Sequence, residues 1–111
     1  MNQKPFILQL PDLHCEVGVT DISLANARYL TKMLGKPSLV VLTKTKKGEW
    51  FVTSYWGEKK FKWEFNGFAF GYNGAAPSGL LTYLTELGIN ITLKRIVSIR
   101  DNECPVVFEV P

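Results

Sequence analysis

SLVVLTKTKKGEWFVTSYW, residues Ser38 to Trp56, carries two β-branched and aromatic runs on either side of a lysine-rich turn ending at Gly48. Each run has strand length and strand composition, and the polar KTKKG between them lets the chain reverse. The stretch therefore reads as a β-hairpin. The next segment, KKFKWEF, sets Phe61, Trp63 and Phe65 against Lys60, Lys62 and Glu64 at period two. That alternation gives a strand with one buried and one wet face. Asn66-Gly67 follows as the strongest short turn signal in the chain and is expected to join this strand to another at Phe68–Phe70.

Upstream, TDISLANARYLTKMLGKP has helix punctuation at both ends. Thr20 or Asp21 is placed to cap the first amides, and Gly35 with Pro37 stops the helix. Leu24, Ala27, Leu30, Met33 and Leu34 recur at helical spacing and define the face expected to bury. Nearer the N-terminus, Phe6–Leu10 reads as a short first strand closed by Pro11. Cys15–Val19 reads as a second short strand or an irregular lead-in. Downstream, SGLLTYLTELG is a second helix ended by Gly88. ITLKRIVSIR and VVFEV then read as the last two strands. The expected architecture is α+β: a mainly antiparallel sheet of five to six strands with two helices packed on it, in one domain spanning residues 1–111.

Composition narrows the class. The chain is 46% hydrophobic and 21% charged with a formal charge of +3, close to the averages for globular domains. No apolar run approaches the roughly 18 residues of a membrane span, and the N-terminus does not read as a signal peptide, so no membrane partner is expected. Lys44, Lys46 and Lys47 cluster beside one turn, and Lys59, Lys60 and Lys62 beside another. Solvated lysines are the ordinary content of such turns, and nucleic acid is not the expected partner. Cys15 and Cys104 have no second pair, and His14 completes no ligand set, so no metal and no cofactor are expected. Reduced, buried thiols in a cytoplasmic protein are the reading of the two cysteines, with a disulfide between them as the alternative.

An enzyme needs a nucleophile with a base, paired carboxylates or a metal set. His14 and Cys15 are adjacent on an extended segment and point to opposite faces. The carboxylates are scattered. Catalysis is not expected.

The segment FGYNGAAPSGLL, Phe70 to Leu81, carries the functional expectation. Pro77 suits the first position of a helix, which makes Ala76 its N-cap; Ser78 as the cap is the alternative. Alanine supplies no side-chain acceptor, so amides are expected to face whatever lies in front of the helix, as in an anion site. Gly79 in the first turn suits close approach of a ligand or another backbone. The candidate ligand-binding set is Gly71, Tyr72, Asn73, Gly74, Ser78 and Gly79, with Tyr83 one helical turn on and Arg95 and Arg100 as anion clamps. The loop lacks the lysine of a P-loop and is not G-x-G-x-x-G.

FAFGYNGAAPSGLL resembles the aromatic-Gly-Tyr-x-Gly-x-x-Pro-x-x-Leu stretch of small, uncharacterised bacterial and phage proteins. Those more often read G-Y-G-G-x-G-P, and Asn73 and Ala76 stand here at two of the glycines. The resemblance implies no known activity. The resulting expectation is a non-enzymatic binder of a nucleotide-like or phosphorylated small molecule, with a pocket completed in a homodimer, as in a phage or mobile-element protein that sequesters a nucleotide signal. The competing expectation is a protein-interaction module or inhibitor that docks through an aromatic sheet surface. Nine rings between Trp50 and Phe70 are more than one small core needs.

Overall fold

A computed structural model describes residues 10–111. The strand expected over Phe6–Leu10 lies outside the described residues except for Leu10, which is buried in the core. Residues 11–19 form an irregular lead-in. Helix α1 follows at Thr20–Leu34, then strands β1 at Leu39–Lys44, β2 at Trp50–Trp56 and β3 at Phe61–Phe65. Helix α2 spans Ala75–Glu86, α3 spans Leu93–Ser98, and β4 closes the fold at Val106–Glu109. The strands form one antiparallel sheet in the order β3-β2-β1-β4. The class is α+β, with four strands rather than five or six among the described residues and three helices rather than two.

Two expected strands are absent. ITLKRIVSIR forms α3 instead, because Thr92 Oγ1 caps it by accepting from the Arg95 amide at 3.2 Å. Spacing of three also drives Ile96 and Ile99 into the core. Phe68–Phe70 is a buried connector whose rings fill the core, and Asn66-Gly67 starts it rather than turning a hairpin. The cap of α1 also differs from expectation. Val19 is the N-cap without side-chain help, and Thr20 Oγ1 instead donates to the Gly67 carbonyl at 2.8 Å.

All three helices contribute to one core against one face of the sheet. Leu30 of α1, Leu80 and Leu84 of α2, and Ile96 of α3 meet Val40, Leu42, Val52, Trp56 and Phe65. Tyr83 stands among them, stacked on Phe68 with ring centroids 5.6 Å apart, and its hydroxyl meets Ser54 Oγ at 2.6 Å. The buried stripe of α1 is Ser23, Asn26, Ala27 and Leu30. It is rotated from the expected one, and Met33 is half exposed.

A carboxylate explains that rotation. Glu16 Oε1 accepts from Ser23 Oγ at 2.5 Å and from the Asn66 amide at 3.1 Å. Its Oε2 accepts from Asn26 Nδ2 at 2.6 Å and from Trp63 Nε1 at 3.0 Å. Asn26 also pairs with both backbone groups of His14, and Asn66 with Gly18 N and Glu16 O. Each buried polar group in this knot has a partner, so the lead-in is clasped across α1 and the end of β3. Gly67 lies at its centre, its amide donating to Ser23 Oγ at 2.9 Å.

Candidate functional site

Helix α2 begins two residues earlier than its proline suggests. Gly74 is the N-cap, with no side-chain cap bond, and Pro77 is the third helical residue. The Ser78 amide already donates to the Gly74 carbonyl at 3.1 Å, and Pro77 has no amide. The helix start therefore keeps the donors of Gly74, Ala75 and Ala76, one fewer than the four amides a helix ordinarily leaves without intrahelical partners.

The other expected ligand residues divide into those near the loop and those elsewhere. Gly71 has φ 85°, its amide donates to the Ile96 carbonyl at 2.9 Å, and a Cβ there would lie 2.9 Å from Ile99 O. Its bareness thus serves the seat of the loop on α3. Gly79 is buried with its missing Cβ only 2.3 Å from Thr20 Cγ2, so the close approach it permits is that of α1. Asn73 and Ser78 are exposed, whereas Tyr83 lies inside the core, where burial pushes its phenol up. Arg95 is on α3, as the loop's neighbour, but its Nη2 bonds Glu103 Oε1 at 2.9 Å. Arg100 is exposed, and its amide donates to Glu103 Oε2 at 2.7 Å.

These bonds hold the Glu103 carboxyl below the usual range, first through Arg95 and then through the Arg100 amide. A lowered folded-state pKa contributes stability that is complete above the ordinary glutamate value near ~4.3 and is lost as pH falls through the folded value. Hydrogen exchange should therefore show the Arg100 amide protected at neutral pH and losing that protection below about pH 4. Unchanged protection across that window would mean the carboxylate does not hold the turn.

Tyr72, the loop's exposed ring, leans on Trp50 with centroids 5.3 Å apart. Lys44 Nζ lies 4.8 Å from the Trp50 ring centroid and 3.0 Å from Asp101 Oδ1. The loop's aromatic is thus engaged by the protein's own ring, and the nearby ammonium by a carboxylate. Trp50 Nε1 is buried without a partner. Of the two thiols, Cys15 is exposed rather than buried and Cys104 is half-buried; both are free. Burial raises the Cys104 thiol, with Asp101 and Glu103 adding to it. No group of three potential metal-ligating side chains occurs among the described residues.

The opposite face of the sheet is built differently. Register places Leu39 beside Tyr55, Val41 beside Thr53 and Thr43 beside Phe51, and it continues Val41 to Val107 on the other side. Their strand neighbours Val40, Leu42, Val52 and Val106 turn inward to the core, so these side chains turn outward. Leu39, Val41, Phe51, Tyr55 and Val107 are all outside the core cluster, with Val107 53% exposed. Lys62, Glu64 and Glu109 surround them from the two edge strands. Most of the nine rings line the helix side, as the core requires; Phe51 and Tyr55 are the two that do not.

No family model, curated protein or solved structure matches the chain. What the site does must be argued from its own residues. Among the described residues, no helix is long and apolar enough to cross a membrane.

Proposed function

We propose that this chain is a protein-interaction module whose contact surface is the face of its sheet opposite helices α1, α2 and α3. One observation carries the reading: five apolar side chains on three adjacent strands, Leu39, Val41, Phe51, Tyr55 and Val107, face away from the core. An apolar patch rimmed by charge, here interrupted by Thr53 beside Val41, is what binding surfaces look like, and tyrosine and phenylalanine serve there as anchors. The strands beneath are hydrogen-bonded to neighbours, so the patch is rigid before it meets a partner and little ordering opposes association.

The nucleotide-binding reading of the Gly71–Gly79 loop rests on less. Pro77 removes one of the amides at the helix start, Tyr72 leans on Trp50, and Arg95 is already held by a carboxylate. The proposed activity is therefore binding of a macromolecule, without chemistry on it.

Affinity capture compares the tagged wild-type chain with Phe51→Glu, which places a charge on the patch beside Thr43 without touching the core. The variant should retain the wild-type circular dichroism and melting profile and lose its captured protein by at least about tenfold, the equivalent of ~1.4 kcal/mol. Equal recovery by a folded Phe51→Glu protein would remove this face from consideration.

A further inference from the structure

The strand register lays out the sheet face opposite α1, α2 and α3 in rows. One row runs from β3 through β2 and β1 to β4 as Lys62, Tyr55, Leu39 and Glu109. The next runs as Glu64, Thr53, Val41 and Val107. A third, on the two central strands, sets Phe51 beside Thr43. Lys62, Glu64, Val107 and Glu109 are exposed, and Leu39, Val41, Phe51 and Tyr55 are half-buried, so solvent reaches every row.

Two asymmetries cross these rows. The first is of charge: the row that begins with a lysine on β3 ends with a glutamate on β4. Neither Lys62 nor Glu109 grips an oppositely charged side chain among the described residues. The second is of size. Both outward rings, Phe51 and Tyr55, stand on β2, while β1 offers the smaller Leu39, Val41 and Thr43. A surface with cation across from anion, and large side chains across from small ones, matches itself when turned over. The operation is a twofold axis in the contact plane, parallel to the strands and between β1 and β2. It lays β3 on a second copy's β4, and β2 on that copy's β1. Lys62 then meets the second copy's Glu109, Tyr55 its Leu39 and Phe51 its Thr43, each contact made twice. Glu64 falls at the rim, beside water. Aligned sheets pack ~10 Å apart with strands within about 30° of each other. At the outer strands that rotation displaces facing residues by about one residue's rise, which lysine and glutamate side chains span.

Resting on the reading of this face as a contact surface, we propose that its occupant is a second copy of the chain, in an isologous face-to-face dimer. Charge complementarity selects the orientation, and ring-on-aliphatic packing fills the centre. Pairing through the edge of β4 is the poorer use of the sheet. The Val110 amide donates to the Ser38 carbonyl at 3.0 Å, which leaves the amides of Val107 and Glu109 turned outward. Pro105 and Pro111, at the same parity, have none. Four strands ~4.8 Å apart and about five residues long give a footprint on the order of 300 Å² per protomer, under the ~800 Å² of a standard interface. The dimer is therefore reversible, with a micromolar dissociation constant.

Sedimentation equilibrium of the full chain from about 1 to 500 μM measures that constant. Lys62→Glu and Glu109→Lys should each weaken self-association about tenfold, since each turns two attractive rim pairs into repulsive ones. The double variant should recover the wild-type constant. So should an equimolar mixture of the two single variants, in which every rim contact again joins opposite charges. Both positions are exposed, so circular dichroism should not change. A chain monomeric throughout the range, a dimer indifferent to these substitutions, or rescue of Lys62→Glu by Glu64→Lys instead of Glu109→Lys would each overturn the assignment. A monomer whose capture of some other protein is abolished by Phe51→Glu would sink the dimer alone. If Phe51→Glu alters neither self-association nor capture, the reading of the face fails with it.

Discussion

Glu16→Ala should lower the folding stability of the chain by about 3 kcal/mol, a large share of the ~5–15 kcal/mol that holds a domain of this size together. One carboxylate receives bonds from Ser23, Asn26, Trp63 and the Asn66 amide. Removing it strands four donors at once, each worth roughly 1 kcal/mol or more when buried without an acceptor. Glu16 is only half-buried, so water recovers part of the loss and keeps the total below the sum. Glu16→Gln should cost nearly as much. Its NH2 would face a donor whichever way the amide turned, because both oxygens of Glu16 act only as acceptors. Urea unfolding measures both. A change under about 1 kcal/mol for Glu16→Ala would show that the knot is solvated and that the lead-in is not clasped by it.

Gly67→Ala is expected to cost at least as much, about 3–4 kcal/mol, by a different route. The added Cβ would lie 2.3 Å from the Val19 carbonyl oxygen and 2.6 Å from Ser23 Oγ. The carbonyl is backbone at the start of α1 and has no rotamer with which to yield. Relief requires the helix start to move away, which breaks the bonds of Thr20 Oγ1 to Gly67 O and of Gly67 N to Ser23 Oγ. With an m-value of ~1–3 kcal/mol per molar, the urea midpoint should fall by about 1–4 M. The double variant Glu16→Ala/Gly67→Ala should lose less than the two single losses combined, since both act through Ser23 and Asn66. A Gly67→Ala protein as stable as wild type would mean that α1 is not seated on this glycine.

These two residues also mark where sequence reading ran out. The β1–β2 hairpin and the alternation of Phe61–Phe65 were legible because turn chemistry and period act locally. So was the existence of α1 and α2, which carry stop signals at Gly35 and Gly88. Asn66-Gly67 misled for the same reason. Its residue types favour a hairpin, but Asn66 instead bonds Glu16 and Gly18, nearly fifty positions away in sequence. ITLKRIVSIR is rich in β-branched residues, yet six of its residues form a helix because Ile96 and Ile99 are wanted by the core and Thr92 caps the start. Ser23 and Asn26 gave a weak signal that went unused: polar residues at helical spacing with Ala27 and Leu30, the true buried stripe of α1.

The candidate surface was partly visible. Lys62 and Glu64 announced a wet face on β3. Strands β1 and β2 are apolar on both faces, however, so no alternation told which of their residues turn outward. Register decided it, by placing Leu39, Val41 and Thr43 beside Tyr55, Thr53 and Phe51. In the same way the loop's glycines looked like a ligand cradle until their neighbours were known. At Gly71 the neighbour is the end of α3, and at Gly79 it is Thr20.

Site-specific photo-crosslinking in cells tests most directly whether the sheet face opposite α1, α2 and α3 is where this chain meets its partner. A photoreactive phenylalanine analogue is placed in turn at Val41, Val107 and Tyr72. Adducts to one protein from positions 41 and 107, with none from position 72, are the outcome predicted. Adducts from position 72 alone, or none from the two sheet positions, would contradict it.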